Sequence, residues 1–259
     1  MGHWTDAYYG ELYLASIEDL LTPELSTLEA EVIASLLGLG PGQRVLDLAC
    51  GHGRHARLLS PRVEALWGVD RSGPYLAQAA ASAPGVRLIQ ADLRALPFAA
   101  GAFDAIYSWY ASLFMFDDPG NAAALAELAR VLRPGGRALV HHGNPLRLER
   151  APREHVRRHL PDGTVVEEDA AFDAATGVER AERRMLRPGG AVLAGTAFLR
   201  YYRPAEWGPL ARSAGLRIVE LTSTTAARSP SERMRAEPNG PPAGPGPDAL
   251  DLVALLERT

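Results

Sequence analysis

Residues 44–56 read RVLDLACGHGRHA. Val45, Leu46 and Leu48 form a short apolar run, the pattern of a strand buried on both faces. Gly51 and Gly53 let the backbone turn tightly and approach a ligand with no Cβ in the way. From Arg54 the stretch reads as a helix, so the first backbone N–H groups of that helix point into the turn. A strand, a glycine turn and a helix start make a nucleotide-binding corner.

Downstream the same alternation continues. A helix over 54–60 ends at Ser60-Pro61, and strands are predicted at 65–69, 86–89, 103–109 and 137–141, with helices at 74–83 and 121–132 between them. Strands alternating with helices at this spacing predict an α/β fold with a doubly wound parallel sheet. Upstream, Thr22-Pro23 reads as an N-cap with proline at the first helical position. Leu25, Leu28, Val32, Leu36 and Leu37 supply an apolar stripe to that helix. The leader WTDAYYGELYL is rich in aromatics, and Tyr9 and Tyr13 fall on one side of a short helix. It reads either as an apolar anchor or as a flap over a ligand.

The pattern breaks after Asn144-Pro145. Residues 146–160, LRLERAPREHVRRHL, predict an arginine-rich helix. Three strands follow at 164–172, 178–186 and 192–202, joined by DAATG and RPGG turns as an antiparallel meander. A helix at 204–214 and a strand at 216–222 return to the earlier pattern. Residues 228–247 are rich in Pro, Gly and Ser and read as a loop. A last strand at 250–256 is reached by a connection able to run antiparallel.

The chain has 259 residues, a formal charge of −4 and one cysteine, Cys50. This suits one large α/β domain with an insertion, without an internal disulfide or a cysteine-based zinc cluster. There is no lysine, which excludes Schiff-base chemistry and a P-loop lysine. The charge argues against broad nucleic-acid binding. No apolar run reaches the length of a membrane span, and the N-terminus lacks a signal-peptide pattern, so a cytoplasmic protein with no membrane partner is expected. His155 and His159 are spaced like a metal pair on a helix, but no acid or thiol is placed to complete it, so no metal is expected.

GHGRHA matches the dinucleotide fingerprint G-x-G-x-x-G/A, with Asp70 about 20 residues further on. Two acids point away from NAD. Asp47 sits inside the first strand, and Asp92 follows the third. Three acids at the ends of neighbouring parallel strands suit a ligand with a cationic group, a ribose diol and an exocyclic amine, since carboxylates only accept. Asp47 would lie near the ammonium or hold the glycine loop. Asp70 would take the ribose hydroxyls. Asp92 would take an adenine amine, with the Leu93 N–H donating to the ring.

At these residues the chain resembles the class I S-adenosylmethionine-dependent methyltransferases. VLDLACGHGRHA is similar to their first motif, GVD at 68–70 to the second acidic position, and QADLRALPF, FDAIYSW and LARVLRPGGRALV to the segments that follow. The match covers about residues 40–142. The rest resembles, more loosely, members acting on small molecules, with an N-terminal helical cap (1–40), a methyltransferase domain (41–144 and 204–259) and an antiparallel β insertion after strand five (145–203) as an acceptor-site lid. The resemblance implies a seven-stranded Rossmann-like sheet, S-adenosylmethionine as cofactor with S-adenosylhomocysteine as product, and in-line methyl transfer to an O, N or C nucleophile of a small molecule.

As cofactor-binding positions it implies Tyr9, Tyr13, Asp47, Ala49, Gly51, Gly53, Asp70, Arg71, Asp92, Leu93, Ser108 and Trp109. His141 and His142, at the end of strand five, are the candidate bases, of which only one can face the acceptor. Tyr110 is a candidate wall between cofactor and acceptor. Arg200, Tyr201 and Tyr202 could line the acceptor pocket. The competing readings are a protein that binds the cofactor without methyl transfer and, further off, an NAD oxidoreductase. The meander or the N-terminal helix could serve as a homodimer interface.

Overall fold

The computed structural model describes residues 4–110, 112–224 and 244–259. Two short helices, α1 (Trp4–Tyr8) and α2 (Glu11–Ile17), precede α3 (Pro23–Leu37). Thr22 caps α3 by accepting from the Leu25 N–H at 3.2 Å, and Pro23 takes a position where no N–H is needed. The helix ends at Gly38, whose φ of 65° is the left-handed conformation glycine adopts freely. The buried face of α3 departs from the expected stripe. Ala30, Ile33, Leu36 and Leu37 face the core together with Glu29, while Leu28 is 63% exposed. The physical reason lies in Glu29, which Arg54 and His55 draw inward.

The strand and helix alternation follows as β1 (Arg44–Leu48), α4 (Arg54–Leu59), β2 (Ala65–Asp70), α5 (Gly73–Ser82), β3 (Val86–Gln90), β4 (Phe103–Ser108), α6 (Asp118–Val131) and β5 (Leu132–Gly143). Leu132 already pairs with Phe103, and the RPGG stretch bulges out before the ladder resumes with Arg137 opposite Ala105. An insertion of α7 (Pro145–Arg150), β6 (Arg153–His159), β7 (Val165–Asp173), β8 (Val178–Leu186) and β9 (Val192–Arg200) comes next. α8 (Pro204–Ser213), β10 (Leu216–Thr222) and β11 (Asp251–Arg258) complete the chain.

The main sheet has seven strands in the order β10-β11-β5-β4-β1-β2-β3. β11 runs antiparallel to both neighbours, and the β5-β4-β1-β2-β3 pairs are parallel. The direction of winding reverses between β1 and β4, so a crevice opens there at the carboxyl ends of the strands. Alternation along the strands feeds two cores. Leu46, Leu48 and Val140 pack with Leu125, Leu128 and Trp207 on one face. Val45, Tyr107 and Leu139 pack with Ile33, Leu36 and Leu59 on the other. The position of Asp47, two residues from Val45, therefore points it to the α3–α4 side of the sheet.

The arginine-rich helix expected over 146–160 is not there. Its first turn forms α7, and Arg153–His159 is the edge strand β6 of a four-stranded antiparallel sheet, β6-β7-β8-β9. Pro152 explains the break, because proline disfavours helical backbone at Ala151 and cannot donate inside a helix. His155 and His159 thus lie on a strand, where His155 pairs with Asp169 at 2.7 Å. The inserted sheet packs Val166, Ala181, Met185 and Ala197 against Tyr8 and Leu12 of α1 and α2. The loop expected over 228–247 lies outside the described residues except for 244–247.

Candidate active site

β1 runs out at Leu48 into a turn with three left-handed residues, Ala49, Gly51 and Gly53, at φ of 65°, 55° and 80°. The turn is stitched to β2. Cys50 N–H donates to the Val69 carbonyl at 2.9 Å, and Gly51 N–H donates to Asp70 Oδ2 at 2.8 Å. Asp70 Oδ1 takes the Ser72 N–H at 2.8 Å. Both Asp70 oxygens thus hold backbone, and the carboxylate retains acceptor capacity for a ligand. At Gly53 a Cβ would sit 3.0 Å from the Ala79 Cβ, so this glycine permits α4 to close on α5.

Above this turn lies a cavity of about 320 Å³. It brings together Tyr9, Tyr13, Asp47, Ala49, Gly51, Asp70, Arg71, Asp92, Leu93, Trp109 and Tyr110 from the expected set. Gly53, Ser108, His141 and His142 are not in its lining. Ser108 is buried with its hydroxyl unpartnered. Cavity residues that the motifs did not single out include Thr5, Tyr75 and Met115.

Asp47 is 3% exposed, and its Oδ2 accepts the Tyr107 hydroxyl at 2.8 Å. Burial pushes its carboxyl up to about 7, against that hydrogen bond. Burial also raises Asp70, although three backbone N–H groups oppose it. Asp92 is held low by Arg94, whose guanidinium and backbone N–H both reach it. Asp92 Oδ1 takes two of those bonds and Oδ2 one, so only Oδ2 keeps room for a further donor. This donor set fits S-adenosylmethionine. A buried carboxyl group held by the Tyr107 hydroxyl, a second with acceptor capacity left and a third with one site left complement an ammonium, a diol and an amine.

The cavity wall on the α3 side is organised by Glu29, which sequence reading missed. Its Oε2 takes Arg54 and His55 (2.9 Å), and its Oε1 takes the Tyr110 hydroxyl at 2.6 Å and Trp109 Nε1 at 3.3 Å. Burial alone would raise Glu29, but the hydrogen bonds from His55 and Arg54 outweigh it and hold the carboxyl down at about 2. Burial pushes His55 down to about 4. One signal was available: Glu29 sits at helical spacing from Ile33 and Leu36, on the apolar face of its helix.

The two histidines part company. His141 stacks on Trp109 at 4.3 Å, its Nδ1 accepts the Tyr110 N–H at 3.1 Å, and its Nε2 meets Asp251 Oδ2 at 3.2 Å. His142 is fully buried on the opposite face, stacked on Trp207 and pushed down to about 3 by burial. It lines neither the cavity above the glycine turn nor the one beside it.

A second cavity, of about 470 Å³, adjoins the first and shares Tyr9, Tyr13 and Tyr110 with it. His141, Glu179, Tyr201, Leu25 and Leu28 are among its other lining residues. Of the three residues ending the insertion, only Tyr201 reaches it. Arg200 is buried between Asp118 and Glu206, and Tyr202 packs against Phe114 in the core.

Strand order, glycine turn and acid placement together define the class I S-adenosylmethionine-dependent methyltransferase fold. Residues 45–136 match the model of a family described as a methyltransferase domain. A demethylmenaquinone methyltransferase of Beutenbergia cavernae is 34% identical over 122 residues, which are 47% of this chain and 50% of that protein. The chain spans about half the length of the curated relatives it matches. Over nearly the whole chain the fold is similar to the CcbJ methyltransferase of Streptomyces caelestis, with a TM-score of 0.77, 21% identity and coverage of 98% and 99%. It is also similar to CalS10, an amino pentose methyltransferase from Micromonospora echinaspora, with a TM-score of 0.66, 18% identity and coverage of 97% and 98%. Among the described residues no helix is long and apolar enough to cross a membrane.

Proposed function

We propose that this protein is an S-adenosylmethionine-dependent methyltransferase of a small molecule, with the cofactor in the first cavity and the acceptor in the second. The observation that carries the reading is the pair of adjoining cavities. One is floored by Asp47, Asp70 and Asp92 at the ends of three parallel strands, and the two share an aromatic wall. The names of the relatives, which concern a demethylmenaquinone and an amino pentose, support a small acceptor.

When bound, the cofactor supplies an electrophilic methyl on a positively charged sulfur. The chain's own residues then have positioning to do, which in aligned near-attack geometry is worth about 7–11 kcal/mol. Asp47 would balance the cofactor's positive charge, Asp70 would hold the ribose diol and Asp92 Oδ2 the adenine amine. Tyr9, Tyr13 and Tyr110 would set the angle between cofactor and acceptor and keep water out. His141 spends both ring nitrogens on Tyr110 and Asp251 and orients the wall. The nucleophile is an O, N or C atom able to attack without a dedicated base. The insertion with α1 and α2 would act as the acceptor-site lid. The same reading places the protein in the cytoplasm without nucleic-acid or membrane partners; light scattering distinguishes monomer from homodimer.

Calorimetry with S-adenosylhomocysteine tests the cofactor half, and saturable binding lost in Asp70→Ala is expected. Transfer of labelled methyl to a small-molecule extract tests the other half. Binding without any transfer would leave a cofactor-dependent protein of another activity; no binding would sink the reading.

A further inference from the structure

Among the described residues, four carboxylates and a single guanidinium, Arg183, line the second cavity. Three of the carboxylates are occupied at close range. Glu29 has Arg54 and His55, Glu168 has Arg183, and Asp251 has His141 and the Thr224 hydroxyl. Glu179 on β8 stands apart: among the described residues it has no cationic partner. Its Oε2 accepts the Tyr201 hydroxyl at 3.0 Å, which fixes the carboxylate, and Oε1 is left for a ligand. Burial raises its carboxyl, and Glu168 and Glu154 push the same way. A carboxylate withdrawn from water and facing other acids is costly until a cation meets it. The other walls are apolar or aromatic, and Leu28 and Leu250 stand 63% and 62% exposed beside the cavity.

We propose that the second cavity takes an acceptor bearing a basic nitrogen on an apolar body, with the nitrogen held as a hydrogen-bond donor against Glu179 and with Tyr201 as the residue that positions that carboxylate. An anionic acceptor would meet the unpaired carboxylate of Glu179, and a neutral hydroxyl would leave its charge uncompensated. A cation entering such a cavity is also favoured by its summed field. The inference rests on the second cavity being the acceptor site.

Benzylamine and benzyl alcohol share a ring and differ at the donor, so they probe the charge directly. Each is titrated at millimolar concentration into the full chain, with and without S-adenosylhomocysteine, and binding is followed by NMR line shifts. The amine should bind the wild type at least tenfold more tightly than the alcohol. E179Q keeps an acceptor for Tyr201 but removes the charge. It should cut amine affinity at least tenfold, leave the alcohol within twofold and leave S-adenosylhomocysteine affinity unchanged. Equal affinity for the two probes, no saturable amine binding, or a preference that survives in E179Q overturns the proposal, and the wild-type comparison does so without any variant. If S-adenosylhomocysteine fails to bind the wild type, the methyltransferase reading falls, while the amine preference of the cofactor-free protein still decides this one.

Discussion

Glu29→Gln should unfold this protein early, and two independent routes give the size. The Glu29–Arg54 pair is 8% and 10% exposed at its side chains. Removing one member of such a pair strands the other charge in the interior, at a cost of about 3–5 kcal/mol. The second route uses linkage. The Glu29 carboxyl moves from 4.5 to about 2 on folding, and that difference corresponds to roughly 3 kcal/mol of stability at neutral pH. In a chain of this length each kcal/mol lowers Tm by about 2–4 °C, so a drop of roughly 6–12 °C is expected. The sign follows from the direction of the shift. A carboxyl held below its unfolded value stabilises above about 4.5 and loses that contribution as pH falls toward 2. Urea denaturation followed by tryptophan fluorescence reads both effects, since Trp109 itself donates to Glu29. Wild type and variant should differ by about 3 kcal/mol at pH 7 and converge toward pH 2–3. A double variant, E29L with R54M, should recover most of the loss, because an apolar pair leaves no buried charge. A loss under about 1 kcal/mol at pH 7, or an equal loss at pH 3, refutes the account.

Asp70→Asn replaces charge-assisted bonds to the Gly51 and Ser72 N–H groups with weaker ones, and should weaken S-adenosylhomocysteine binding by about 30-fold or more, near 2 kcal/mol. Unchanged affinity by calorimetry would contradict its role. Asp47→Asn should stabilise the cofactor-free protein at pH 8 by roughly 1–3 kcal/mol while weakening cofactor binding. Burial raises Asp47 from 3.8 to about 7, so its ionisation penalty grows across that window; a melting-temperature gain already complete at pH 4 would be inconsistent. His142→Phe, at a position enclosed by Phe114, Tyr201 and Trp207, should leave S-adenosylhomocysteine affinity within about twofold. A tenfold loss would place the residue in the site after all.

The parallel core was legible because strands buried on both faces carry largely apolar runs, as ALWGV does and as VLDL does but for Asp47. The same logic failed at residues 146–160. The alternation of REHVRRH, with Val156 half-buried between charged neighbours, belongs to an edge strand, but arginine and leucine favour helices as well. Pro152 was the arbiter. The acids were legible by their places at strand ends, whereas their occupancy was not. That Arg94 takes most of Asp92 and Ser72 part of Asp70 depends on backbone two residues away folding back, and that Gly51 takes the rest of Asp70 depends on the β1 turn, 19 residues away, meeting the end of β2. Arg200 shows the opposite failure: an arginine beside two tyrosines suggests a pocket, yet three-dimensional pairing with Asp118 and Glu206 makes it structural.

Tyr110 joins these threads. It is an aromatic residue at φ of 58°, a conformation that costs such a residue about 1–3 kcal/mol and persists only where the surroundings impose it. Three elements impose it here. The N–H is tied to His141 of β5, the hydroxyl to Glu29 of α3, and the ring lies 5.1 Å under the Arg54 guanidinium of α4. The residue stands in the wall of both cavities, so the geometry between them is set by a cap helix, the cofactor-loop helix and a central strand together. The same contacts bear on how His141 can act. Its Nδ1 must stay unprotonated to accept from Tyr110, which puts the ring proton on Nε2 facing Asp251. Taking a proton from an acceptor at Nδ1 would turn that nitrogen into a donor and release the strained residue that separates the two cavities. We therefore propose that His141 holds the wall and that the acceptor atom attacks without a dedicated base.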